Sequence, residues 1–135
     1  MFIDLGPGKQ PPSGHLYPLS YDEMEYLRAY IDEMLKSRKI CPSKSPCGAL
    51  TFIVPKLHGR GLRVVVDYCG LNAITIKDRY PLPLMTNLMD RVVKACWFTK
   101  FDLKNGYNLI HVAAGHEWKI AFKTRYEVFE FTVMP

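Results

Sequence analysis

The chain lacks the spacings that mark a metal knuckle. Its four cysteines, Cys41, Cys47, Cys69 and Cys96, form no Cys-x-x-Cys pair. No signal-peptide pattern opens the sequence, so reduced thiols in an intracellular setting, cytoplasm or nucleus, are expected. A zinc site built from Cys41, Cys47, His58 and Cys69 matches none of the usual ligand spacings. The longest uncharged apolar stretch, 47–55, falls far short of the roughly 20 residues a helix needs to cross a bilayer, and no membrane partner is expected. Internal repeats and low-complexity tracts are missing, which argues against a disordered tail. His15, His58, His111 and His116 stand at no recognisable catalytic spacing from a serine or thiol, and none is read as catalytic.

What is present suffices for one core. Of the 135 residues, 48% are hydrophobic and 13% aromatic, at a length where folding hides only roughly 65 to 70% of the unfolded chain's surface. One small domain fits these limits. The formal charge of +5 is unevenly placed: residues 1–40 carry five basic against six acidic side chains, and 41–135 thirteen against seven. The positive excess of the second part suits a polyanionic partner, with a plain solvated surface as the competing reading.

Residues 1–18 are rich in breakers, Pro7, Gly8, Pro11, Pro12, Gly14 and Pro18, and read as an extended N-terminal arm before a single unit over 19–135. Ser20 and Glu23 form a capping box, and Met24, Leu27, Ile31, Met34 and Leu35 recur on one helical face. This predicts a helix that Pro42 and Pro46 bring to an end. Segments 49–54 and 62–68 read as the strands of a hairpin with a basic tip at 56–61. Past Pro81 and Pro83, Leu84, Met85, Leu88, Met89 and Val92 predict a second amphipathic helix of about three turns. Residues 97–103 read as a strand, and 118–122 with 128–133 as a closing hairpin around Arg125-Tyr126-Glu127. The order of elements gives an α+β fold.

Asp102 closes the run Phe98-Thr99-Lys100-Phe101 five positions before Tyr107. Nucleotidyl transfer needs divalent ions roughly 3.5 to 4 Å apart, held by carboxylates with open space for phosphates and water. An acid at a strand end meets that need, and it equally serves to cap the next turn. Lys56, Arg60 and Arg63 make the hairpin tip either a phosphate grip, Arg as a fork and Lys as a point charge, or a solvated loop. Tyr107 is a stacking aromatic beside the acid or a core tyrosine. Gly106 lets a backbone approach a ligand closely, while Asn105 adds a side chain there.

Three further segments share one register with Asp102: Ile40-Cys41-Pro42-Ser43-Lys44-Ser45-Pro46, Leu62-Arg63-Val64-Val65-Val66-Asp67-Tyr68-Cys69-Gly70-Leu71-Asn72, and Ile76-Lys77-Asp78-Arg79-Tyr80-Pro81-Leu82-Pro83. With them the chain resembles, from about Ile3 to Pro135, the reverse transcriptase of gypsy-type LTR retrotransposons. The resemblance implies the fingers and first part of the palm of a right-hand polymerase, stopping before its Tyr-x-Asp-Asp hairpin. It implies that Asp102 is catalytic, the first of three carboxylates binding Mg²⁺ or Mn²⁺ in the complete enzyme, and that Lys56 and Arg63 grip the incoming triphosphate. Tyr107, with Asn105 and Gly106 before it, then lies under the incoming sugar and excludes a 2′-hydroxyl. The implied partners are an RNA/DNA template-primer, deoxynucleoside triphosphates and the remainder of the polymerase.

The chain departs from the family at Cys69, which replaces an Arg able to pair with Asp67, and at Leu57-His58-Gly59-Arg60-Gly61, which replaces a lysine-rich loop. With one carboxylate of three, it is expected to be inactive alone, as a truncated or cropped element would be, and to expose apolar surface around Phe98, Leu103, Phe131 and Val133. Two other readings stay open: a non-catalytic nucleic-acid or nucleotide-binding remnant, and an interaction module completed by a partner chain.

Overall fold

The computed structural model describes residues 1–56 and 61–135. Helix α1 spans Tyr21–Lys36. Its N-terminus carries the predicted capping box: the Ser20 hydroxyl accepts from the Glu23 N–H, and the Glu23 carboxylate accepts from the Ser20 N–H at 2.8 Å. Leu27, Ile31 and Met34 form its buried face. The helix stops before either proline is reached, which corrects the sequence expectation. Arg38 takes a left-handed conformation with φ of 55°. Its N–H donates to the Leu35 carbonyl and that of Lys39 to the Met34 carbonyl, both at 3.0 Å, a closure usually given to glycine. The Thr132 hydroxyl holds this turn by donating to the Arg38 carbonyl at 2.8 Å.

In chain order there follow β1 (Ile40–Pro42), β2 (Leu50–Pro55), β3 (Leu62–Asp67), α2 (Cys69–Ile74), α3 (Met85–Val92), β4 (Phe122–Lys123) and β5 (Val128–Phe131), with 3₁₀ turns at Gly106–Leu109 and Glu117–Ile120. One antiparallel sheet has the order β1-β5-β4, and β2 and β3 pair separately as a hairpin. A parallel bridge between Ala49 and Phe122 ties the hairpin to the sheet. Alternation along β5 turns Phe129 and Phe131 inward. They meet Phe122, with the Phe122 and Phe131 ring centroids 4.8 Å apart, and pack with Leu27, Ile31, Met34 and Ile40 into the core.

The arm at 1–18 has no helix or strand beyond single bridges at Leu5 and Ser13, yet it is fastened to the body. Ile3 is buried, its N–H donates to His116 Nδ1 at 2.9 Å, and Lys119 Nζ donates to its carbonyl at 2.7 Å. Pro12 lies against Gly70, where a Cβ would come within 2.7 Å of the proline ring.

Several expectations need correction. Helix α3 forms where its pattern predicts, but with eight residues and none of its side chains buried. Residues 97–103 are not a strand: no described strand lies beside them, and Trp97, Phe98, Phe101 and Leu103 are 93%, 73%, 83% and 71% exposed. Phe131 and Val133, expected at an open surface, are buried instead: Phe131 ends β5, which runs through the core, and Val133 lies just beyond it in a bridge with His111. Residues 118–122 are mostly a 3₁₀ turn leading into β4, and α2 has no counterpart in the sequence reading. No helix among the described residues is long and apolar enough to cross a membrane.

Candidate functional site

The β2–β3 register sets the first part of the site. Val54 pairs with Arg63 and Pro55 with Leu62, and the Lys56 N–H donates to the Gly61 carbonyl at 2.7 Å. Lys56 follows Val54 by two positions, so the pleat puts it on the same face as Arg63. Tyr26 of α1 holds the start of β3, at the turn end of this hairpin, its hydroxyl donating to the Leu62 carbonyl at 2.7 Å. Leu57, His58, Gly59 and Arg60, the middle of the predicted tip at 56–61, lie outside the described residues.

Lys56 and Arg63 line one cleft of about 620 Å³ with Tyr30, Glu33 and Met34 of α1, Lys39, Asn105, Asn108 and Pro135. Among the described residues three basic side chains, Lys39, Lys56 and Arg63, line it against one acidic side chain, Glu33, which suits a polyanion. Burial pushes the Tyr30 phenol up, with Tyr26 and Glu33 adding to it, so Tyr30 stays a neutral phenol at the cleft wall. Tyr26, Tyr30 and Glu33 recur at helical spacing beside the apolar face of α1, a pattern visible in the sequence itself. Lys39 and Asn108 gave no such signal, being brought together only by the fold.

Asn105 joins this cleft in a left-handed conformation, φ 52° and ψ 43°. The special backbone geometry therefore sits at Asn105, whereas Gly106 has an ordinary φ and space for a Cβ at 3.6 Å from Leu103. Asp102 and Tyr107 are exposed and do not line the cleft. Asp102 lies in irregular chain rather than at a strand end, because the strand predicted to carry it does not form. Among the described residues no cluster of three His, Cys, Asp or Glu side chains is placed to hold a metal ion, so the residues present do not complete a divalent-metal site around Asp102.

Asp67 is better accommodated than the replacement of its arginine partner suggested. It is exposed, and its carboxylate accepts the Cys69 N–H at 2.8 Å, which with the Cys69 thiol holds it below the usual carboxylate range. The four cysteines are all free thiols. Burial, and then Glu130, push the Cys41 thiol up, which makes it a poor nucleophile.

Over 119 residues the chain is 42% identical to the Tf2-3 and Tf2-4 transposon polyproteins of Schizosaccharomyces pombe; the alignment takes in 88% of this chain and 9% of each relative. The chain thus spans about a tenth of the length of these curated relatives. Among solved structures it matches a prototype foamy virus protease-reverse transcriptase, the CSH mutant, with a TM-score of 0.79 and 22% identity over 98% of this chain and 18% of that one. It also matches the foamy viral protease-reverse transcriptase in complex with dsDNA, with a TM-score of 0.71 and 20% identity over 98% of this chain and 26% of that one. No family model matches. The polyprotein relatives and the shared fold point the same way as the sequence motifs, and the chain belongs to the gypsy-type LTR retrotransposon polyproteins, over a segment that has the reverse-transcriptase fold.

Proposed function

We propose that residues 1–135 act as the fingers and first palm carboxylate of an RNA-directed DNA polymerase. The observation that carries this reading is the convergence of the hairpin residues Lys56 and Arg63 with Asn105, distant from both in sequence, on one cleft. In it, Lys56 and Arg63 take the triphosphate of an incoming deoxynucleotide, Arg63 as a fork and Lys56 as a point charge. Asn105 and Gly106 bring the backbone up to the nucleotide, and Tyr107 lies under its sugar and excludes a 2′-hydroxyl. Asp102 is assigned as the first of three metal-binding carboxylates, with Mg²⁺ or Mn²⁺ as the ion in the complete enzyme. The template-primer is an RNA/DNA duplex, and the site of action is intracellular. The nearest support for a nucleic-acid partner is the foamy viral protein solved with dsDNA.

Residues 1–135 contain no Tyr-x-Asp-Asp sequence, so by themselves they hold one of the three carboxylates and do not polymerise. Primer extension on a homopolymer template with Mg²⁺ or Mn²⁺ tests this: no product is expected, and extension above an Asp102→Ala control overturns it. A second reading, completion by a partner chain carrying the rest of the polymerase, is favoured by the unburied apolar face of α3. Its mark is a stable heteromer in solution.

A further inference from the structure

If Tyr107 sorts sugars, the turn that carries it has to be held at a fixed place relative to the cations of the cleft. The turn is short. Gly106–Leu109 is one 3₁₀ turn, and Tyr107 itself is 67% exposed, so packing of the ring does little to hold it. Its local backbone bonds are the Asn108 N–H to the Asn105 carbonyl and the Ile110 N–H to the Tyr107 carbonyl, each 3.0 Å. Such i→i+3 bonds have poor geometry and do not fix a short turn by themselves.

The Ile110 carbonyl, at the end of the turn, accepts the Met134 N–H at 2.8 Å; Asn108 supplies the side-chain attachment nearest Tyr107. Its Oδ1 accepts from Lys39 Nζ at 3.2 Å, and its Nδ2 donates to the Met134 carbonyl at 3.1 Å. Lys39 directly follows the left-handed residue that closes α1, and its side chain lines the cleft together with Lys56 and Arg63. Asn108 is half-buried, so both bonds are partly shielded from competing water. One acceptor and one donor on a single planar group are what an amide provides. An aspartate keeps the bond to Lys39 but sets a carboxylate against the Met134 carbonyl, and a leucine keeps neither.

We infer that Asn108 is a positioning residue for sugar discrimination: by bridging Lys39 and Met134 it holds the Tyr107 turn in place against the phosphate-binding cleft. The inference rests on the nucleotide-site reading above. Lys39 is thereby oriented as well, since one of its three N–H donors is committed to Asn108, its side-chain partner among the described residues.

Amide hydrogen exchange and nucleotide competition on the whole chain test it. Loss of two partly buried hydrogen bonds should speed exchange of the 106–110 amides about tenfold in Asn108→Leu, with α1 and β5 unchanged. The same variant should lose most of its preference for dATP over ATP, read by displacement of a fluorescent nucleotide, while affinity for inorganic tripolyphosphate, set by Lys56 and Arg63, holds. Asn108→Gln, with the same amide one methylene longer, should restore both. If Asn108→Leu does not fold, Asn108→Ala, which also removes both bonds and adds no charge to the cleft, carries the test with the same expected directions. Unchanged exchange, or an unchanged dATP preference with triphosphate binding intact, overturns the inference alone. Absence of any triphosphate binding by the wild type overturns the site reading and this inference with it.

Discussion

Lys56 and Arg63 stand on one face of the β2–β3 hairpin, because Val54 pairs with Arg63 and Lys56 lies two residues past Val54. Seven positions apart in sequence, they become neighbours that present two cations to one cleft. Binding of a labelled RNA/DNA duplex should therefore weaken as salt rises, with a log-log slope of about 0.9 per phosphate neutralised on duplex DNA. The double change Lys56→Ala, Arg63→Ala should flatten that slope. Fluorescence anisotropy at two salt concentrations checks this, and equal binding by wild type and double mutant counts against the hairpin as a phosphate grip.

The run from Leu82 to Ile110 leaves much apolar surface in water. Leu82, Trp97 and Phe101 are 84%, 93% and 83% exposed. Exposed apolar surface of this extent, where it is contiguous, binds hydrophobic dyes and drives association. The protein should bind such a dye and self-associate at micromolar concentration, and Trp97→Ser with Phe101→Ser should reduce both without lowering thermal stability. A monomer that binds no dye would mean that this run packs in solution.

Tyr68 links pH to stability. Its hydroxyl donates to the Ile120 carbonyl at 2.8 Å, and burial, with a smaller push from Tyr30, raises the phenol well above its ordinary value. The folded state thus holds the proton more tightly than the unfolded chain does. Stability from Tyr68 is complete below the ordinary phenol pKa of about 10 and falls as the pH climbs above it. Tyr68→Phe should cost about 1 kcal/mol near neutrality by removing the bond, and the gap to wild type should close at high pH. Melting curves from pH 7 to 11 read both effects, and a constant gap across that range would show that Tyr68 does not carry the alkaline loss.

Phe122 and Met85 should respond oppositely to truncation. Phe122 is fully buried between Phe129 and Phe131, whereas Met85 of α3 is 72% exposed. Phe122→Ala should cost about 3–5 kcal/mol through lost transfer energy and a residual cavity, a large part of the stability of a domain this size. Met85→Ala should change stability by less than about 0.5 kcal/mol. Urea unfolding distinguishes the two, and a large loss at Met85 would place α3 in the core.

The sequence by itself determined those parts whose bonds are local. Ser20 and Glu23 are three residues apart, and their reciprocal capping needs nothing else; the apolar face of α1 and the β2–β3 hairpin close over short separations as well. The motifs around Asp102 and along β3 likewise carried the family, since they are statements about residue order. Only the tertiary structure decided where long-range partners were required. Residues 97–103 have a strand's composition, but a strand is made by a neighbour's hydrogen bonds, and no described strand lies beside them. Arg38 ends α1 in a left-handed turn because Thr132, 94 residues away, grips its carbonyl. Asn108 meets Lys39 across 69 residues, and no local pattern announces such a contact. Local propensity names the elements, whereas the partners that satisfy their remaining polar groups exist only once the chain has folded.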